Sequence, residues 1–209
     1  MMVLLNEDTK QLIREAAEWR LIGLLFECPS AQWFGEVGAL AQEVDDAVLR
    51  QAAESAMTEA SEGLYHSTFG PGGPAPPREA SYQDTVQLGY LISEIEANYN
   101  AFAYRPVCAE PADHVATETG FVAYLRLKQA YALSEGLEDR AGIAADASAR
   151  FVKEHVATIA EPLAASLAES GLTYLQDASA ALLRRTGPGL KLPVLQDPLV
   201  DDESVECGI

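Results

Sequence analysis

Residues 65–82 read YHSTFGPGGPAPPREASY, with four prolines and three glycines. Proline fixes φ and carries no N–H, and glycine visits backbone angles that other residues avoid, so this run cannot continue a helix. It is not a Gly/Ser spacer either, because Tyr65, Phe69 and Tyr82 place aromatic rings along it and at both ends. A loop of this length inside a compact domain is either functional or disordered. The rings predict an ordered loop, pinned at each end to a hydrophobic core.

The chain on both sides of the loop reads as helix. Upstream, Asn6 is an N-cap followed by Glu7 and Asp8, acids suited to the positive end of a helix dipole. Leu12, Ala16, Trp19, Gly23 and Phe26 then recur at steps of four and three, the stripe of an amphipathic helix stopped at Cys28-Pro29-Ser30. A shorter helix is predicted over 31–42. Another, capped by Asp45 or Asp46, is predicted to run towards His66. Downstream, Leu88, Leu91, Ile95, Tyr99 and Phe102 mark a helix ended before Arg105-Pro106. Asp113 is the expected N-cap of the next, which reaches about Leu133. A further helix is predicted over 139–156. Pro162 is expected to open another, because its ring suits a first turn and not an interior. The last spans about 173–185, with Arg184 and Arg185 at its negative end. The expectation is one all-α domain of about eight helices over residues 1–186, followed by an extended acidic tail over 187–209.

Composition supports this reading and limits the function. Alanine and leucine dominate, strand formers are sparse, and 209 residues suit one domain. The formal net charge of −18 argues against a nucleic-acid partner and favours a basic peptide or protein patch. Only four of the fourteen basic residues are Lys, and acid excess with little Lys also fits adaptation to salt. Cys28, Cys108 and Cys207 lie far apart and form no CxxC or Cys/His cluster, so neither a disulfide framework nor a zinc site is signalled. The N-terminus lacks the basic start and long apolar core of a signal peptide, and Leu21–Phe26 is too short to span a bilayer. A cytoplasmic protein without stable membrane insertion is expected.

The densest polar cluster is Glu110-Pro111-Ala112-Asp113-His114, with Glu118 one turn on. His114 and Glu118 at i and i+4 can share a helix face, which admits a small metal-dependent enzyme if His66 or His155 joins them. No HExxH is present, and a cap with a polar turn is the simpler reading. No GxSxG elbow accompanies the Ser residues beside His66, and Gly70-Pro71-Gly72-Gly73 is not followed by GK[ST]. Tyr65, Tyr82, Tyr90, Tyr99 and Tyr104 either line a groove for an apolar peptide or belong to the core; periodicity favours the core for Tyr90 and Tyr99.

Three blocks of the chain together resemble the TorD/DmsD/NarJ-type redox-enzyme maturation chaperones. The first is Tyr65 with Phe69-Gly70-Pro71-Gly72 and Pro74 to Tyr82. The second is Pro111-Ala112-Asp113-His114 with Glu118 and Phe121, and the third is Phe151-Val152-Lys153-Glu154-His155. The resemblance implies an all-α, cytoplasmic, non-catalytic chaperone without a cofactor. Such a chaperone binds the N-terminal leader, often twin-arginine, of a molybdenum-containing oxidoreductase catalytic subunit and holds it until the subunit's own cofactor is inserted. It places Pro77, Asp113 and His114 on positions implicated in client binding. With Tyr65, Pro76 and Tyr82 as apolar wall and Asp113 and Glu118 as attraction for leader cations, these residues form the expected site. His114 is expected to donate a hydrogen bond to the client and to give binding a pH dependence near neutrality. No metal site is assigned on this reading. A helical adaptor without a leader client is the remaining alternative, and a monomer or a domain-swapped dimer is expected. The chain departs from the pattern at Arg78, where many members carry an aromatic residue, and at Thr119-Gly120, which sets a glycine inside a helix. Residues 1–63 show no likeness beyond helical pattern.

Overall fold

The computed structural model describes residues 6–83 and 87–187. It contains α1 (Glu7–Leu25), α2 (Ala31–Ala41), α3 (Ala47–Glu59), α4 (Glu62–Phe69), α5 (Leu88–Ala101), α6 (Val115–Ser134), α7 (Glu138–Phe151), α8 (Ala157–Leu167) and α9 (Thr173–Thr186). A 3-10 turn spans Glu79–Tyr82, and a π turn over Val152–Val156 joins α7 to α8 without a break. The fold is all-α, with no strand among the described residues. The predicted tail lies outside the described residues from 188 onward.

Two helices make the centre. In α1 the stripe of Leu12, Ala16 and Trp19 gives way to Leu21–Phe26, which is buried on every side. In α6 the run Val115–Thr119 is buried all round, as expected of a helix with neighbours on each face. The two approach so closely that a Cβ at Gly23 would stand 2.5 Å from Thr119 Oγ1 and 3.0 Å from the carbonyl oxygen of Ala116. Gly120 has a similar reason. A Cβ there would meet the Tyr104 hydroxyl at 2.7 Å, so the glycine that weakens α6 by propensity admits a buried tyrosine.

An aromatic cluster fixes the segment between α5 and α6. Tyr99, Tyr104, Phe121 and Phe151 pack with ring centroids 4.8–6.0 Å apart, in the range of favourable edge and offset contacts. Tyr99 donates to the Ala112 carbonyl at 2.8 Å, and Tyr124 donates to that of Phe102 at 2.9 Å. Tyr99 is therefore a core residue, as its periodicity predicts. Tyr90 is not: it is 74% exposed, in the first turn of α5.

Four local predictions require correction. His114, and not Asp113, caps α6, its Nδ1 accepting from the Ala116 N–H at 3.1 Å. The helix begun at Asp46 does not reach His66, because Ser61 accepts from the Leu64 N–H and starts α4 afresh. Pro162 opens no helix but sits inside α8. The amide it lacks would have bonded to the carbonyl of Thr158, a half-buried residue just after the π turn. The helix expected over 139–156 ends as α-helix at Phe151, where the π turn begins. At the far end, Arg184 and Arg185 bond to Asp46, the α3 cap, and Arg185 also reaches Glu18 at 2.9 Å. The last described helix is thereby tied to α1 and to the start of α3.

Candidate functional site

A groove of about 440 Å³ opens where the proline-rich loop faces the segment before α6. Tyr65, Phe69, Pro71, Pro76 and Pro77 make its apolar walls, and Arg78, Glu110 and His114 supply its polar groups. The loop is held by short contacts. Ala75 N–H donates to the Thr68 carbonyl at 3.2 Å, and the Tyr82 hydroxyl donates to the Pro76 carbonyl at 2.7 Å. Val115 N–H donates to the Pro77 carbonyl at 2.9 Å, and Glu79 N–H to the Asp113 carbonyl at 2.8 Å. Residues 77–79 and 113–115 thus run as a short antiparallel pairing, bridged at Arg78 and His114.

The predicted site residues fall into two layers. Tyr65, Pro76, Pro77 and His114 line the groove. Tyr82 braces it from behind through Pro76. Asp113 and Glu118 have no exposed surface. Asp113 Oδ1 accepts from Arg78 Nε at 2.9 Å and stands 2.8 Å from Nη2 of the same guanidinium, so its charge is matched within the chain. Arg78, the departure from the family pattern, is therefore the counter-ion of a buried carboxylate.

Beneath the groove lies a buried acidic knot. Glu79, fully buried in the 3-10 turn, accepts from His155 Nδ1 at 3.0 Å and from the Gln83 side-chain amide. Burial first, then the nearby charges of Glu79 and Asp113, push the Glu118 carboxyl well above the usual carboxylate range. That direction favours the protonated, uncharged form of Glu118 beside Glu79 and Asp113. Taken as a carboxylate it would have no donor among the described residues. Glu79 was missed in the sequence; its one signal is an acid in the middle of a proline-rich, otherwise apolar block.

Two further groups set the groove's electrostatics. The Tyr65 hydroxyl donates to Glu110 Oε1 at 2.8 Å, which orients a carboxylate at the groove's edge. His114 is nearly fully buried, and burial together with the Arg78 charge depresses its pKa to about 3. It is therefore neutral at physiological pH, and the expected titration near neutrality is corrected. Its Nε2 has no hydrogen-bond partner among the described residues. Glu110 Oε2 stands 3.8 Å away, beyond hydrogen-bonding distance. His114 and Glu118 do not belong to any group of three metal-ligating side chains among the described residues.

An apolar-walled groove with a carboxylate at its edge and a neutral imidazole in its wall is suited to holding an extended polypeptide. Residues 36–165 match the family model described as the nitrate reductase delta subunit, and the chain belongs to that family of redox-enzyme maturation chaperones. All three blocks noted in the sequence lie within the match. The match also begins earlier than expected, taking in most of α2 and all of α3. A search of curated proteins gives no significant match. No described helix is long and apolar enough to cross a membrane.

Proposed function

We propose that the protein is a maturation chaperone that binds the N-terminal leader of a molybdenum-containing oxidoreductase catalytic subunit in this groove and holds the subunit for cofactor insertion. The observation that carries the reading is convergence. Three blocks distant in sequence meet through Glu79: its own block lines the groove, Asp113 and Glu118 lie against it, and His155 bonds to it. The apolar walls suit the hydrophobic part of a leader, and Glu110 with the surface charge of −18 suits its arginines. Asp113 acts indirectly, by holding Arg78 and the loop in place. His114 Nδ1 accepts from the Ala116 N–H, so in the neutral ring Nε2 carries the proton and donates to a carbonyl of the bound leader.

Affinity capture from the source organism, with cross-linking and mass spectrometry, tests the partner. Recovery of one large molybdenum oxidoreductase subunit is expected. Fluorescence anisotropy with that subunit's N-terminal peptide then tests the groove. Glu110→Gln removes a charge without changing shape and should weaken binding about tenfold, a loss of ~1.4 kcal/mol. Unchanged affinity in both Glu110→Gln and Tyr65→Ala, with folding verified by circular dichroism, would move the leader site elsewhere.

A further inference from the structure

We propose that Glu94, Glu154 and His155 form a binding site for a divalent metal ion of the zinc and manganese type, on the side of α5 and the π turn. Each offers one ligand atom, and these atoms all lie within 4.8 Å of one another. The two carboxylates are exposed and free to close on an ion by rotamer change, while the imidazole is 2% exposed and fixed.

His155 carries the argument. Its Nδ1 faces the buried Glu79 at 3.0 Å, which sets the tautomer with the proton on Nδ1. The other nitrogen, Nε2, then holds a lone pair, is enclosed, and has no hydrogen-bond partner among the described residues. A buried acceptor left without a donor is costly, and a cation removes that cost. The sequence carboxylate, histidine, metal is the arrangement by which a second carboxylate orients an imidazole ligand and raises its basicity. One nitrogen and two oxygens suit zinc or manganese, with positions left for water.

The backbone supports the assignment independently. Glu154 and His155 are neighbours in the π turn, and such turns inside helices occur often at functional sites. Glu94 comes from a different helix, α5, so an ion there would tie α5 to the junction of α7 and α8. Through His155 and Glu79 the same ion would brace the 3-10 turn behind the groove. The site is separate from the pair His114 and Glu118.

The test is calorimetric titration of the full chain, stripped with chelator and dialysed, with zinc chloride and separately with manganese chloride. Saturable binding at one ion per chain is expected for at least one of the two. Glu94→Gln and Glu154→Gln should each weaken it at least tenfold. Because both side chains are exposed, the metal-free melting temperature should not change, which separates lost ligation from lost folding. Cobalt absorption without a thiolate charge-transfer band should accompany binding and so exclude the cysteines as ligands. Absence of a one-to-one site for both metals, or a one-to-one site indifferent to both substitutions, overturns the proposal.

Discussion

Asp113 and Arg78 are an unequal pair: the carboxylate is fully buried, whereas 38% of the arginine side chain meets water. Removing the arginine strands a charge, so Arg78→Ala should cost about 3 kcal/mol, read from urea unfolding. Adding Asp113→Asn removes the stranded charge, and the double variant should regain more than half of the loss. A loss of the same size in the double variant would mean that packing, not charge, is at stake. Glu118 makes a second residue-scale prediction. Its folded-state pKa lies above its unfolded value, so the folded state retains a proton that the unfolded chain releases. Its contribution is complete below the ordinary carboxylate range and declines as pH rises through the folded value. Gln cannot titrate and nearly matches the protonated acid in shape. Glu118→Gln should therefore match wild type in melting temperature near pH ~4 and exceed it near pH ~8. His114 acts with the opposite sign, its contribution being lost as pH falls from the usual histidine range towards its folded value of about 3, but it is common to both proteins and cancels in the comparison. Neither protonation state was legible in the sequence. The motif brings His114 and Glu118 to notice, but their charge depends on burial by residues far along the chain.

Helix existence was legible from periodicity and caps; helix junctions were not. The helix capped at Asp45 or Asp46 reads as running on towards His66, yet Ser61 starts a new helix by accepting from the Leu64 N–H. Pro162 reads as a helix opener, since sequence cannot reveal a π turn just upstream. Gly23 is the reverse case: it sits within a helical stripe, and its reason is a partner helix more than ninety residues away. Gly23→Ala improves the propensity of α1 by roughly 1 kcal/mol. It also forces a methyl into Thr119 Oγ1 and the fixed Ala116 carbonyl. Overpacking of this kind costs typically 1–3 kcal/mol, and backbone on one side of the clash cannot turn away. The net expectation is destabilisation of about 1–2 kcal/mol by thermal or chemical unfolding. Pairing it with Thr119→Ser, which keeps the hydroxyl, should not rescue it; Thr119→Ala should recover part of the loss.

The whole molecule carries 32 acidic against 14 basic residues, and on the proposed reading this imbalance would act on stability and on client association with opposite signs. Within the chain, like charges repel, so the folded state is strained electrostatically at low ionic strength. Added salt shortens the Debye length from ~10 Å at 0.1 M to ~3 Å at 1 M and relieves that repulsion. The melting temperature should therefore rise as sodium chloride goes from about 0.05 to about 1 M. Between the chain and an arginine-bearing leader, the same field is attractive and acts at distances beyond the groove. Screening removes the steering, so the association rate, measured by stopped-flow anisotropy, should fall at least tenfold over the same range. On the proposed reading, dissociation would be set by short-range contacts with Tyr65, the prolines and Glu110, and should change far less. The two responses separate the functions of one charge distribution. A rate constant indifferent to salt, beside a melting temperature that rises, would mean that the acidic surface serves the chain's own solubility and salt tolerance, and that the groove recognises its ligand through apolar contact alone.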